Sequence, residues 1–203
     1  MSVKKAYQSW SEIYDQNENK TRDLDLLATQ SILRTLSFDT VVEIGCGTGK
    51  NTQWLADKAK SIIALDFSSE MLAIAQKKVI QNHVKFLEAD ISKKWKIEDE
   101  FANLVSCNLV LEHLKDLSNV FNEAHRVLKS KGFFFISEIH SMKRFIGSQA
   151  KFEHILVESY LHHLSEYLNE AEKLGFKLIK IDEWFDEETT NPPRLLTLLF
   201  QKK

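Results

Sequence analysis

Three of the chain's six glycines fall within five residues, in Val41-Val42-Glu43-Ile44-Gly45-Cys46-Gly47-Thr48-Gly49. A β-branched apolar run with an embedded acid ends in Gly-x-Gly-x-Gly, and a stretch of helical composition, 51–60, follows it. Glycine has no Cβ, so the backbone here can turn sharply and let a ligand lie against its amides. The next apolar run, Ser61-Ile62-Ile63-Ala64-Leu65, ends in Asp66, 21 positions after Gly45. A nucleotide-binding βαβ unit places there the acid that accepts a pair of ribose hydroxyls. The glycines alone are weak evidence. Strand, loop, helix and a second strand ending in an acid at that distance restrict the chain to the α/β folds.

The rest of the chain continues the alternation. Strand-like runs lie at 40–44, 61–65, 84–87, 103–107, 133–137, 176–183 and 195–201, and helical patterns at 51–59, 69–82, 117–128 and 157–174. The first five strands are short continuous apolar runs, as in a parallel sheet covered on both faces. Residues 186–194 separate the last two strands, hold both prolines, Pro192 and Pro193, and offer no helix, so these strands read as an antiparallel hairpin. The expected fold is α/β: a three-layer Rossmann-like sandwich on a seven-stranded, mostly parallel sheet with one antiparallel strand. At 203 residues it forms one domain, with 1–37 as helical segments across the top, a core over 38–140, and 141–203 supplying a further segment, a helix and the final hairpin.

Composition removes several function classes. The net charge of -2 provides no field for nucleic acid or an anionic membrane. No apolar run approaches the roughly 20 residues of a membrane span. Residues 1–25 lack the apolar centre of a secretory signal. Cys46 and Cys107 sit in core-like segments without paired spacing, which suits a reducing cytoplasm, and a cytoplasmic location is expected.

Ligands of an open α/β sheet bind outside the carboxyl ends of its strands. Those ends read Glu43 with the glycine loop, Asp66, Glu88-Ala89-Asp90, Asn108 with Leu109 to His113, and Glu138-Ile139-His140. Residues 41–49, Asp66-Phe67-Ser68-Ser69-Glu70-Met71-Leu72, Asp90-Ile91, 108–113 and Val127-Leu128-Lys129-Ser130-Lys131-Gly132 together resemble the class I S-adenosylmethionine-dependent methyltransferases. Within that class the resemblance is to the small-molecule methyltransferase type 11 group, and it runs from about residue 38 to 140. Residues 138–152, His162-His163 and Trp184-Phe185 are also similar to methyltransferase domains that modify histidine-derived thiols or peptide natural products.

The resemblance implies S-adenosylmethionine as cofactor and a role for each matching position. Gly45, Gly47 and Gly49 would bring the loop against the methionine part, and Glu43 would help hold its ammonium. Asp66 would accept both ribose hydroxyls, Asp90 the adenine amino group, and Ile91 would offer its backbone amide. Phe67 and Met71 would pack on the adenine, and Asn108 and Leu109 would line the pocket near the sulfonium. Residues 1–37 would be a lid, with Tyr7 and Tyr14 as contacts and Arg22 as an anchor for a carboxylate. Blander readings stay open: Asp66 as a helix cap, Phe67 and Met71 as core, 1–37 as an amphipathic packing segment.

Methyl transfer needs alignment and, for a protonated nucleophile, a base. His113, His140 and His163 are the candidate bases, each with packing as its alternative role. Arg22, Arg144 and Tyr160 are candidate substrate contacts, and His140, Lys143 and Arg144 form a basic edge suited to a carboxylate. His154, Glu158, His162 and His163 have helical spacing, but without cysteine partners no metal is expected. The function expected is methyl transfer to O, N or S of a small molecule or short peptide, by a monomer or homodimer. A nicotinamide-dependent oxidoreductase is the competing enzyme class, but Lys50 stands where its third glycine is needed. A non-catalytic cofactor-binding protein is the third reading. Asn108-Leu109-Val110-Leu111 departs from the Asn/Asp-Pro-Pro-aromatic loop of nucleic-acid amino-methylating enzymes.

Overall fold

Alternation of apolar runs and amphipathic stretches produces a doubly wound sheet. The computed structural model describes residue 14 and residues 18–146, 151–152, 155–156, 158–186 and 192–203. Helix α1 (Lys20–Leu33) leads into strand β1 (Thr40–Ile44), followed by α2 (Lys50–Ala56), β2 (Ser61–Asp66), α3 (Ser69–Lys78) and β3 (Val84–Glu88). Then come β4 (Ala102–Asn108), a 3-10 turn (Leu111–His113), α4 (Ser118–Val127), β5 (Leu128–Ile139), α5 (Ser141–Phe145), α6 (Leu164–Lys173), β6 (Lys177–Trp184) and β7 (Leu195–Gln201). A two-residue hairpin, Lys151–Phe152 against Ile155–Leu156, stands apart from the main sheet.

The seven strands lie in the order β3-β2-β1-β4-β5-β7-β6. The pairs β1–β2, β1–β4, β2–β3 and β4–β5 are parallel, and β7 runs antiparallel to both β5 and β6. The chain steps outward from β1 to β3 and then returns to β4 on β1's other side. That reversal opens a crevice at the carboxyl ends of β1 and β4, where such folds bind ligands.

Each face has its own core. Val120, Phe121 and Ala124 of α4 and Tyr167 and Ala171 of α6 pack with Val42, Val105, Phe134 and Phe200 of the sheet. Ile32 and Leu33 of α1, Leu55 of α2 and Leu72 of α3 pack with Val41, Ile62, Ala64 and Phe135 on the other face. Phe121 meets Phe134 edge to face at 5.2 Å between centroids, a favoured aromatic geometry.

Several boundaries differ from the sequence reading. The 69–82 pattern stops as helix at Lys78, because Val79 is extended. Helix α6 starts at Leu164, not at 157: His163 is its N-cap, and the His163 amide donates to Glu166 Oε1 at 2.9 Å, a reciprocal cap that fixes the start there. Residues 158–163 are therefore not helical. That removes the helical spacing on which a grouping of Glu158, His162 and His163 rested, and His154 lies outside the described residues. Strand β5 begins at Leu128, five residues before the apolar run that signals it. Tyr7 also lies outside the described residues, as do 187–191 of the hairpin connection.

Candidate functional site

The carboxyl ends of β1 to β4 meet in one cleft of about 810 Å³. Its wall takes in Glu43, Gly45, Gly47, Asp66, Phe67 and Met71, then Asp90 and Ile91, and Asn108, Leu109 and His113. Tyr14 and Arg22 reach it from the amino-terminal side. Thirteen residues singled out from sequence thus converge, across a span of a hundred positions, which is what the doubly wound topology does to strand ends. Of the other candidates, Gly49, His140, Tyr160 and His163 are not among the residues lining the cleft, and the side chain of Arg144 lies outside the described residues.

The three loop glycines have different tasks. All are left-handed, at φ 70°, 53° and 81°. A Cβ on Gly45 would lie 2.1 Å from Val110 Cγ2, so this glycine, in the cleft wall, makes room for a side chain of the loop after β4. A Cβ on Gly47 would meet nothing within 4 Å, and this residue faces the open cleft. Gly49 lies against Ala75 and Val79, where it lets α2 start close to α3.

Asp66 ties the loop to the second strand. Its Oδ2 accepts from the Gly47 amide at 2.8 Å and its Oδ1 from the Ser68 amide at 2.9 Å. Burial raises its carboxyl above the ordinary range, against the pull of these amides. The Phe67 amide donates to it as well, so of the roughly four lone-pair sites of the carboxylate one stays open to a ribose hydroxyl. The capping role is real as well, but Ser68 itself caps α3, its hydroxyl accepting from the Met71 amide at 3.2 Å. Met71 is 1% exposed and Phe67 half-buried; both line the cleft. Asp90 is exposed and already engaged by Ser92 and Lys93, at 2.6 Å from the hydroxyl and 3.1 Å from the ammonium.

Behind the glycine loop sits a buried acidic floor, in which the sequence reading singled out Glu43 but gave Asp25 no role. Asp25 of α1 is 3% exposed and lines the cleft. It accepts from Asn51 Nδ2 and from Asn108 Nδ2, both at 2.9 Å. Asn108 also donates to Thr29 Oγ1 and accepts from Ser106 Oγ, so its side chain is spent on this network and leaves only its backbone toward the cleft. Asp25 could have been found from its spacing: with Ala28, Thr29 and Ile32 it lies on the buried stripe of α1, where an acid needs a reason. Next to it Glu43 is 3% exposed, and its Oε2 has no hydrogen-bond partner. Burial pushes Glu43 up to about 8, with Asp25 and Asp66 adding like-charge repulsion. Asn51 Oδ1 is likewise buried and unpartnered.

On the amino-terminal side, Arg22 lays its guanidinium 4.1 Å over the Tyr14 ring and donates to the Tyr14 carbonyl at 2.6 Å. The loop after β4 passes through Leu109, at φ 55°, to Val110, His113 and Leu114, all of which line the cleft. His113 Nδ1 lies 3.3 Å from the Glu158 carbonyl. A carbonyl only accepts, so Nδ1 carries a proton, and in the neutral ring the lone pair is then on Nε2. His140 is turned elsewhere: Nδ1 accepts from the Met142 amide at 3.2 Å and Nε2 meets Glu183 Oε1 at 3.1 Å. Tyr160 donates to Glu158 and His163 serves as the α6 cap. Among the described residues no His, Cys, Asp or Glu group is arranged to hold a metal ion, and no helix is long and apolar enough to cross a membrane.

Comparison with known proteins fits this geometry. Residues 42–136 match the methyltransferase domain family Methyltransf_11. An uncharacterized methyltransferase of Emericella nidulans is 27% identical over 221 residues, covering 87% of this chain and 76% of that protein. A demethylmenaquinone methyltransferase of Chlamydia caviae is 36% identical over 105 residues, 51% of this chain and 45% of that protein, so the chain spans under half of its length. In fold, the N-methyltransferase NodS of Bradyrhizobium japonicum, solved with S-adenosyl-L-homocysteine, superposes with a TM-score of 0.77 at 14% identity, over 100% of this chain and 99% of that one.

Proposed function

We propose that the chain, whose residues 42–136 match the methyltransferase domain family, is an S-adenosylmethionine-dependent methyltransferase acting on an oxygen, nitrogen or sulfur atom of a small molecule or short peptide. The observation that carries this reading is the pair of buried, unpartnered acceptors, Glu43 Oε2 and Asn51 Oδ1, set in the cleft wall beside the glycine loop. Unsatisfied buried acceptors are costly, and a ligand ammonium, with three donors and no acceptor, answers both. S-adenosylmethionine carries such an ammonium and, when bound, supplies a methyl group activated on a sulfonium.

The residues divide the work by position. Glu43 and Asn51 take the ammonium, and Gly47 leaves the loop open where a ligand's backbone-like end would lie. Asp66 accepts a ribose hydroxyl with the lone pair its three amide contacts leave. Phe67, Met71 and Ile91 give an apolar bed for the adenine. Leu109, Val110 and Leu114 exclude water where the methyl moves. His113 removes the acceptor's proton at Nε2, its orientation fixed by the Nδ1–H held on Glu158. Arg22, backed by Tyr14, draws an acceptor carrying a carboxylate.

Calorimetric titration with S-adenosylmethionine, S-adenosylhomocysteine and NAD tests the reading, with Asp66→Ala alongside. Micromolar binding of both sulfur compounds, lost in Asp66→Ala and absent for NAD, is expected. Binding of NAD alone, or of none of the three, refutes it.

A further inference from the structure

Among the buried carboxylates without a task in the proposed mechanism, Glu138 touches the wall of the cleft directly. Glu138, near the end of β5, is 2% exposed and is not among the residues lining the cleft. Its Oε1 accepts from the amides of Val110 and Leu111, both at 2.8 Å, while Oε2 has no partner. One buried side-chain oxygen thus holds two successive backbone amides of the loop that walls the acceptor side.

That loop is under visible constraint. Leu109 has φ 55°, a left-handed conformation disfavoured for a side chain of its size. Its own amide is fixed on the Ser137 carbonyl at 2.8 Å. The reversal at Leu109 turns the next residue so that Val110 Cγ2 fills the space over Gly45, closer than any Cβ there would allow. Strain of this kind persists only where surrounding contacts over-determine it. From the other side the segment 158–162 straps the same loop: the Tyr160 amide donates to the Glu112 carbonyl at 2.6 Å, and His162 Nε2 lies 2.8 Å from the Leu114 carbonyl. The strap holds the loop's far end, and Glu138 holds the near end at the point of strain.

We propose that Glu138 is a positioning residue: its Oε1, by gripping the Val110 and Leu111 amides, keeps Leu109 left-handed and Val110 seated on Gly45, and so sets the acceptor-side wall and the place of His113. The inference rests on the reading of that loop as the acceptor wall of a methyltransferase. An acceptor oxygen, not a charge, is what the two amides require. Burial pushes the Glu138 carboxyl up to about 8, so near neutral pH the group is largely the uncharged acid and still accepts at Oε1. Glutamine has the same length and the same carbonyl oxygen. In-line transfer tolerates little misalignment, so a loop released at this point loses rate before it loses fold.

Hydrogen exchange of the full chain tests the clamp without any acceptor. In Glu138→Gln, amide protection at Val110 and Leu111 and the affinity for S-adenosylmethionine stay within about twofold of the parent. In Glu138→Leu and Glu138→Asp, the latter too short to reach, exchange at those two amides rises roughly tenfold or more, while the β5–β7 amides keep their protection. Unchanged exchange at 110 and 111 in Glu138→Leu and Glu138→Asp overturns the proposal, as does a Glu138→Gln chain as loose as Glu138→Asp. Should Glu138→Leu not fold, the Gln–Asp pair decides alone. If the parent chain binds no S-adenosylmethionine, the methyltransferase reading fails, and the exchange data still judge the clamp.

Discussion

Cofactor binding should expel a proton from the cleft, and Glu43 should be its source. The Glu43 carboxyl is raised from an ordinary 4.5 to about 8 by burial and by Asp25 and Asp66. At pH 7 it is about nine-tenths protonated in the ligand-free chain. An ammonium docked on Oε2 favours the carboxylate and drives that proton off. The ligand's own α-amino group, with a free pKa of about 7.8, must also be protonated in the complex, so binding releases about 0.8 proton at pH 7 and close to none at pH 8. The sign follows: below about pH 8 affinity rises with pH while the proton must leave, about eightfold from pH 6 to 7 but only about twofold from 7 to 8, where the ligand's ammonium itself begins to titrate. Titration calorimetry in buffers of different ionisation enthalpy reads the proton count directly as a slope. Glu43→Gln should flatten that slope and weaken binding by about 1.5–3 kcal/mol, the worth of a charge-assisted hydrogen bond. A zero slope in the parent at pH 7, or an undiminished slope in Glu43→Gln, refutes the placement of the ammonium.

Two further outcomes concern the ligand-free protein. Glu43 and Glu138 both stand near 8 in the folded chain against 4.5 ordinarily, so between those values the folded state binds more protons than the unfolded one. Stability then carries no penalty from these groups below pH 4.5 and falls as pH rises toward 8, by about 1.4 kcal/mol per pH unit for each; Tm should be lower at pH 7.5 than at 5.5, and a higher value contradicts the assignment. Gly45→Ala should cost about 1–2 kcal/mol for its left-handed backbone plus about 1–3 kcal/mol for overpacking against Val110. Adding Val110→Ala should recover the second part only, and a denaturant double-mutant cycle showing no coupling would place Val110 elsewhere.

The sheet was legible because its strands are apolar runs and its loop glycines are concentrated at one place. Convergence of Glu43, Asp66, Asp90 and Asn108 was legible too, since topology alone brings strand ends together. What sequence did not yield depends on pairwise geometry. The start of α6 is decided by a reciprocal bond between His163 and Glu166, against a helical pattern that reaches back to 157. His140 follows a strand end as the pattern requires, yet Glu183 and the Met142 amide turn its ring away from the cleft. The glycine loop looked uniform, but only Gly47 faces open space; Gly45 and Gly49 serve neighbours far along the chain. Asp25 was hidden because attention followed strand ends, although its place on the buried stripe of α1 marks it.

The position of β7 between β5 and β6 has a consequence for how the chain comes to be folded at all. Every residue from Leu195 to Phe200 is buried, and β6 meets the sheet only through this strand. During synthesis the ribosome delivers the residues of the cleft long before it delivers β7. Until then β5 presents an unpaired apolar edge, and β6 has no sheet to join. The nascent chain thus holds its binding residues in an incomplete sheet, with an edge open to association with other chains. Closure awaits the pairing of β7 with β5, of long sequence separation and a slow kind of step, while β6 joins as the near arm of the hairpin. The interval before β7 arrives is where protection by a chaperone would matter most for yield.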